Sequence, residues 1–182
     1  MFDYQILIAE AFGAAAVVLN FIGYRQQDIN RYRFISALAL LAVSTHFFLI
    51  DAIAAGISCA LACARNIIAM RHRGIQILVF FIAANFGFFI YEWFFLGSSW
   101  IILFAYSSSI LFTVGSIILT SAVRIRQWFI AAESLGLVYT VLVGSIFGTV
   151  FNVTNLCSIF YTLYRDKRKQ QKLDKATVEL DQ

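Results

Sequence analysis

The chain has 182 residues, of which 61% are hydrophobic, 16% aromatic and only 13% charged, with a formal net charge of +4. Soluble domains average about half apolar and a quarter charged residues, so this composition excludes a soluble globular domain and predicts an integral membrane protein. The basic residues sit in short segments between apolar runs, which argues against a nucleic-acid surface.

A helix needs about 20 mostly apolar residues to cross the hydrocarbon core. The start, Met1-Phe2-Asp3-Tyr4-Gln5, has no basic n-region and predicts no cleaved signal peptide. The first predicted span is Tyr4–Tyr24, with Glu10, Gly13, Val17, Asn20 and Tyr24 on one helical stripe. Arg25, Arg31 and Arg33 follow it. The second span, Phe34–Ile50, carries His46 near its end, and Asp51 is read as the N-cap of the third span, Ala52–Met70, which holds Cys59, Cys63 and Arg65. Arg71 and Arg73 follow. The fourth span is Ile75–Tyr91, divided from the fifth, Ile101–Thr120, only by Glu92 and Gly97-Ser98-Ser99. After Arg124 and Arg126 comes the sixth span, Trp128–Val143, with Glu133, then a turn at Gly144-Ser145. The seventh, Ser145–Tyr164, shows a stripe of Gly148, Asn152, Asn155, Ile159 and Thr162. In the polar tail 165–182, the basic first half is expected against anionic headgroups and the remainder mobile.

All four basic clusters fall on one side of the seven spans, and the opposite loops contain no Lys or Arg. The positive-inside rule then predicts an N-terminus outside and a cytoplasmic C-terminus in a multi-pass plasma-membrane protein. Residues 49–71 can be laid over 141–163, matching Gly56 with Gly148, and 31–39 resembles 125–133. The expected fold is all-α and polytopic, seven transmembrane helices in a 3+1+3 parallel repeat. Its parts are a first three-helix repeat (1–73), a linker helix (74–97), a second three-helix repeat (98–164) and the tail (165–182).

The stretches "STHFFLIDAIAAG" and "CARNIIAMRHR", with the later "RQWF" and "LVGSIFGTVFN", resemble the YgjV family of bacterial inner-membrane proteins, over most of the chain. That family is similar to the PQ-loop and SWEET-like group, which implies three-helix repeats and movement of a small solute across the bacterial inner membrane. The chain departs from that group in having no proline.

Ionisable groups inside spans are functional candidates because isolated charge is unfavourable there. Arg65 is open to several readings: an anion or substrate contact facing a central cavity, a structural clamp, or a side chain snorkelling to headgroups. Its depth matches that of Glu133, and a direct or one-water contact between the two is expected. His46 is either a proton relay or a histidine bonded to a backbone carbonyl or to Glu10; Glu10 is either a proton carrier or a residue at the outer mouth. Asn20, Asn152 and Asn155 suit a polar solute site or interhelical hydrogen bonding; by resemblance, span-seven amides such as Asn152 and Asn155 line the solute path. Cys59, Cys63 and His46 cannot supply a four-ligand metal site, and Ser107-Ser108-Ser109 has no base partner, so neither metal, cofactor nor enzymatic chemistry is expected. The expected function is a transporter or facilitator of a small polar solute bound between the two bundles. The alternative is a non-transporting sensor or partner subunit of the same fold. The bilayer is the expected partner, and a homo-oligomer is compatible with the sequence.

Overall fold

The structure, a computed structural model, describes residues 2–24, 26, 28–72, 74–119 and 121–180. Among these the chain is all-helical, with seven helices: α1 (Phe2–Tyr24), α2 (Ile29–Leu49), α3 (Ile53–Ile68), α4 (Ile75–Phe95), α5 (Ile102–Ile118), α6 (Ala122–Val143) and α7 (Ile146–Leu180). Four contain stretches long and apolar enough to cross a membrane: Tyr4–Gly23, Asn30–Leu49, Ile75–Phe95 and Ile146–Arg168. Helices α3 and α5 are apolar but shorter.

Two helix starts lie several residues before the apolar runs that signal them. α2 begins at Ile29 because Asp28 caps it, its carboxylate accepting from the Arg31 amide at 2.7 Å. α6 begins at Ala122, ahead of Trp128, and the Trp128 indole N–H donates to the Leu111 carbonyl of α5 at 2.8 Å. The polar tail is also helical, since α7 continues to Leu180. Residues 165–180 contain no Gly or Pro and are rich in Lys, Arg, Gln and Leu, which favour helix over the mobile tail expected from polarity alone. Arg126 of α6 pairs with Asp166 of this extension at 2.5 Å.

The α2–α3 and α6–α7 turns have the same hydrogen-bond pattern. The Ala52 amide donates to the Phe47 carbonyl and the Asp51 amide to Phe48; the Ser145 amide donates to Thr140 and the Gly144 amide to Val141. Each is a Schellman ending, with its left-handed residue at Asp51 (φ 58°) and Gly144 (φ 78°). Asp51 therefore does not cap α3 as expected; it ends α2, in a conformation that Asp tolerates better than most side chains. The turns align Asp51 with Gly144, one residue away from the register that places Gly56 on Gly148.

Packing follows α1–α2–α3 and α5–α6–α7, joined by α3 against α5 and by α1 against α7; α4 lies against α5 and α3. The core between them is built on small residues, with Ala16, Ala39, Ala54 and Ala132 fully buried, so helices approach closely. Rings fill the gaps left by glycine: a Cβ on Gly148 would lie 2.7 Å from the Phe47 ring, and one on Gly56 2.6 Å from Phe48. The outer surface is apolar, as a lipid-facing surface requires. α4 shows this most clearly, exposing Val79, Phe80, Phe86, Ile90 and Phe94 while burying Leu78, Phe81, Asn85 and Glu92.

Candidate functional site

A cavity of about 250 Å³ lies between the helices, and α1, α2, α3, α5, α6 and α7 all contribute to its lining, whereas α4 contributes nothing. On α2 the lining runs from Tyr32 to Phe47, a length of roughly 22 Å at 1.5 Å per residue. The walls mix apolar residues (Leu40, Phe112, Phe129, Phe151) with hydroxyls, amides and charges (Ser58, Ser108, Ser109, Asn66, Asn152, Arg65, Glu133). Such a wall fits a small solute that needs both apolar contact and a few fixed polar partners.

Two polar groups of opposite charge face this space. Arg65 on α3 is 4% exposed, and its Nη1 donates to the Thr113 hydroxyl of α5 at 3.1 Å. That hydroxyl in turn donates to the Ser109 carbonyl at 2.8 Å, which fixes its direction. Arg65 Nε is buried without a hydrogen-bond partner, and so is Ser109 Oγ. Glu133 on α6, also 4% exposed, accepts from the Asn155 amide of α7 at 2.7 Å. The Asn155 side-chain oxygen is thereby free to accept from Asn20 of α1, and the two are hydrogen-bonded. Three helices thus meet through one Asn20–Asn155–Glu133 chain.

The expected direct contact between Arg65 and Glu133 is absent. α3 packs on α5 and α6 packs on α7, so each charge finds its hydrogen bond on its own neighbour. Arg65 is also too deeply buried to snorkel. Asn152 lines the cavity but donates back to the Gly148 carbonyl of its own helix at 2.8 Å. Its oxygen rests beside Gly136, where a Cβ would come within 2.8 Å.

His46 and Glu10 lie apart from this cavity. His46 Nδ1 is 2.8 Å from the Ala9 carbonyl and Nε2 2.8 Å from Ser145 Oγ. A carbonyl only accepts, so Nδ1 carries a hydrogen, and in the neutral ring Nε2 accepts from the serine hydroxyl. Ser145 Oγ also accepts from the Gly148 amide at 3.0 Å. The histidine therefore joins α1, α2 and α7 with both nitrogens used. Glu10 is exposed on α1, and its neighbour Ala9, rather than its own carboxylate, supplies the partner of His46.

Several polar residues with structural prominence carried little signal in the sequence. Glu92, read as a break between spans, is 3% exposed and accepts from Tyr106 OH at 2.9 Å and Ser98 Oγ at 3.1 Å. Ser109 and Thr113 lie one turn apart on α5, Thr113 holding Arg65 and Ser109 lining the cavity beside it; their i,i+4 spacing was the available clue. Among the described residues, no cluster of three or more His, Cys, Asp or Glu could hold a metal ion.

Apolar helices surrounding a largely apolar cavity with a few polar side chains in its wall define a helical membrane protein. A family model described as bacterial inner membrane protein, Imp-YgjV, matches residues 7–170, and the chain belongs to that family. Comparison with curated proteins and with solved structures gave no match.

Proposed function

We propose that the protein is a seven-span, non-enzymatic transporter or facilitator that binds a small polar solute in the cavity between two three-helix units. The observation that carries this reading is the lining itself: six helices supply it and the candidate linker, α4, supplies none. A scaffold without a ligand would fill that space with apolar side chains, because a buried polar group without a partner is unfavourable by about 1–3 kcal/mol.

A parallel repeat of the SWEET-like kind, relating 1–73 to 98–164 with 74–97 as the linker, is supported by the lining positions. The shift that carries Asp51 to Gly144 is 93 residues (144 − 51). Applied to α2, it carries four of the five lining residues, Tyr32, Ser36, Leu40 and Phe47, to Ile125, Phe129, Glu133 and Thr140, each also in the lining, while Arg33 falls on Arg126 outside it. On α3 it carries three of six lining residues, Ser58, Cys59 and Ala62, to the lining residues Phe151, Asn152 and Asn155, whereas Ala55, Arg65 and Asn66 fall on Gly148, Ser158 and Ile159 outside it. A two-fold axis along the membrane normal would exchange the α1–α7 contact with the α5–α3 contact, and both contacts exist.

The direct test is flux of labelled sugars, nucleosides, vitamins, amino acids and organic acids into proteoliposomes. Uptake of one of them above empty-liposome background supports the reading. Saturable binding without flux would make the protein a sensor or partner subunit instead. Orientation is tested by labelling in a cysteine-free background. Ser98→Cys should react with an impermeant thiol reagent in intact cells and Gln170→Cys only after permeabilisation; the reverse pattern overturns a cytoplasmic C-terminus.

A further inference from the structure

Resting on the solute-binding reading, we infer that the cavity takes a small organic anion whose carboxylate or phosphate oxygens sit on Arg65 and Ser109. The first ground is an unused donor pair on one wall. The Arg65 guanidinium is held by Nη1 on Thr113, while its Nε and the Ser109 hydroxyl are buried with no partner. Only three such buried atoms occur among the described side chains, and two of them belong to residues that line the same cavity, Arg65 and Ser109; the third, Asn85 Oδ1, is on α4 away from it. A guanidinium presents its N–H groups in a planar fork that matches two oxygens of a carboxylate or phosphate, which is the recognition geometry that an ammonium lacks.

The second ground is charge. The lining holds Arg33, Arg65 and Glu133, and no ion pair joins them among the described residues. Arg33 Nη1 donates to the Ala69 carbonyl at 3.0 Å, and Glu133 is engaged by an amide rather than a cation. Two positive charges against one negative leave the walls with a net positive charge, which a singly anionic solute would neutralise. The third ground is size. A cavity of about 250 Å³ holds the equivalent of roughly eight waters at about 30 Å³ each, which admits a small metabolite. Glu133 faces the same space and would receive a hydroxyl or ammonium donor from the other end of the solute.

The test is equilibrium binding to the full chain in lipid nanodiscs by isothermal titration. Probes are lactate, succinate, glutamate, inorganic phosphate and glycerol 3-phosphate, each organic acid set beside its uncharged amide or alcohol counterpart. At least one acid should bind, with its uncharged counterpart at least tenfold weaker; whether that acid is a carboxylate or a phosphate distinguishes the two sources of oxyanion. Arg65→Lys, which keeps the charge and loses the fork, should weaken that binding at least tenfold, and Ser109→Ala about threefold. Both variants should give unchanged size-exclusion profiles, so that the loss is one of recognition. No binding by any acid, equal binding of acid and uncharged counterpart, or full affinity in Arg65→Lys would overturn the inference. Acid binding without flux overturns transport but leaves the anion site standing. Flux of a neutral solute with no acid binding does the opposite.

Discussion

The polar cluster around His46 and the polar wall around Arg65 are both buried, both formed by several helices, and chemically opposite in one respect. At His46 every side-chain nitrogen has a partner: Ala9 takes one, Ser145 the other, and Ser145 also caps the Gly148 amide. At Arg65 one nitrogen is held and the Nε beside it is not, and a serine hydroxyl on the facing helix is equally unused. A closed network gains nothing from a ligand, so it acts as interhelical glue. An open one keeps donors ready for something that arrives. The two sites are therefore distinguished by the completeness of their hydrogen bonds rather than by residue type, and substitutions should separate them.

The largest stability effect is expected at the closed site. His46→Ala removes the link among α1, α2 and α7 and leaves the Ser145 hydroxyl without an acceptor, besides opening a cavity. Together these should destabilise the fold by about 2–4 kcal/mol, read as a lower denaturation midpoint in mixed micelles, while affinity for any bound solute stays within about twofold once folded protein is counted. A null effect on stability would remove the contrast. Next is Gly148→Ala, whose Cβ would sit 2.7 Å from the Phe47 ring and 2.8 Å from Ser145 Oγ. Overpacking of this kind is expected to lose about 1–3 kcal/mol, again without a specific effect on ligand affinity. Glu92→Gln, at a third closed cluster, keeps an acceptor for either Tyr106 or Ser98 but turns an amide donor toward the other, and should lose about 1 kcal/mol. An unchanged midpoint in that variant would mean the Glu92 cluster contributes no net stability.

How much of this could be read from the sequence depends on what kind of information each feature carries. The helices follow from apolar length and from caps, so their number and order were legible, although α2, capped by Asp28, and α6 both start earlier than hydropathy indicates. Asp51 was misread because a single Asp between two apolar runs can cap the following helix or end the preceding one, and only backbone geometry separates the two. The charged cavity residues were visible as outliers, but their partners were not. Depth along a helix pairs Arg65 with Glu133, whereas the angle around each helix decides which neighbour a side chain meets, and that angle depends on tertiary packing. The correspondence between halves was faint for a related reason. Under the proposed repeat, Leu40 would stand where Glu133 does and Ala62 where Asn155 does, so a shared position would carry different chemistry.

The smallest effect on stability, and the sharpest test of the comparison, is expected at Arg65 itself. In a buried ion pair, deleting one partner leaves an uncompensated charge and loses about 3–5 kcal/mol. Arg65 has no such partner; its one side-chain hydrogen bond goes to Thr113, whose hydroxyl remains satisfied by the Ser109 carbonyl when the arginine is removed. Arg65→Gln also takes a charge out of a site where it is poorly solvated, which offsets the lost bond. The net change should stay within about 1 kcal/mol and could be stabilising. Arg65→Gln and Glu133→Gln should couple by less than about 2 kcal/mol, because no direct contact joins the two and only the shared cavity and their common neighbour Tyr32 link them. A double-mutant cycle in mixed micelles measures this directly. Coupling above about 2 kcal/mol would mean that the two charges form a structural pair in the membrane, and Arg65 would then belong with His46 among the closed sites.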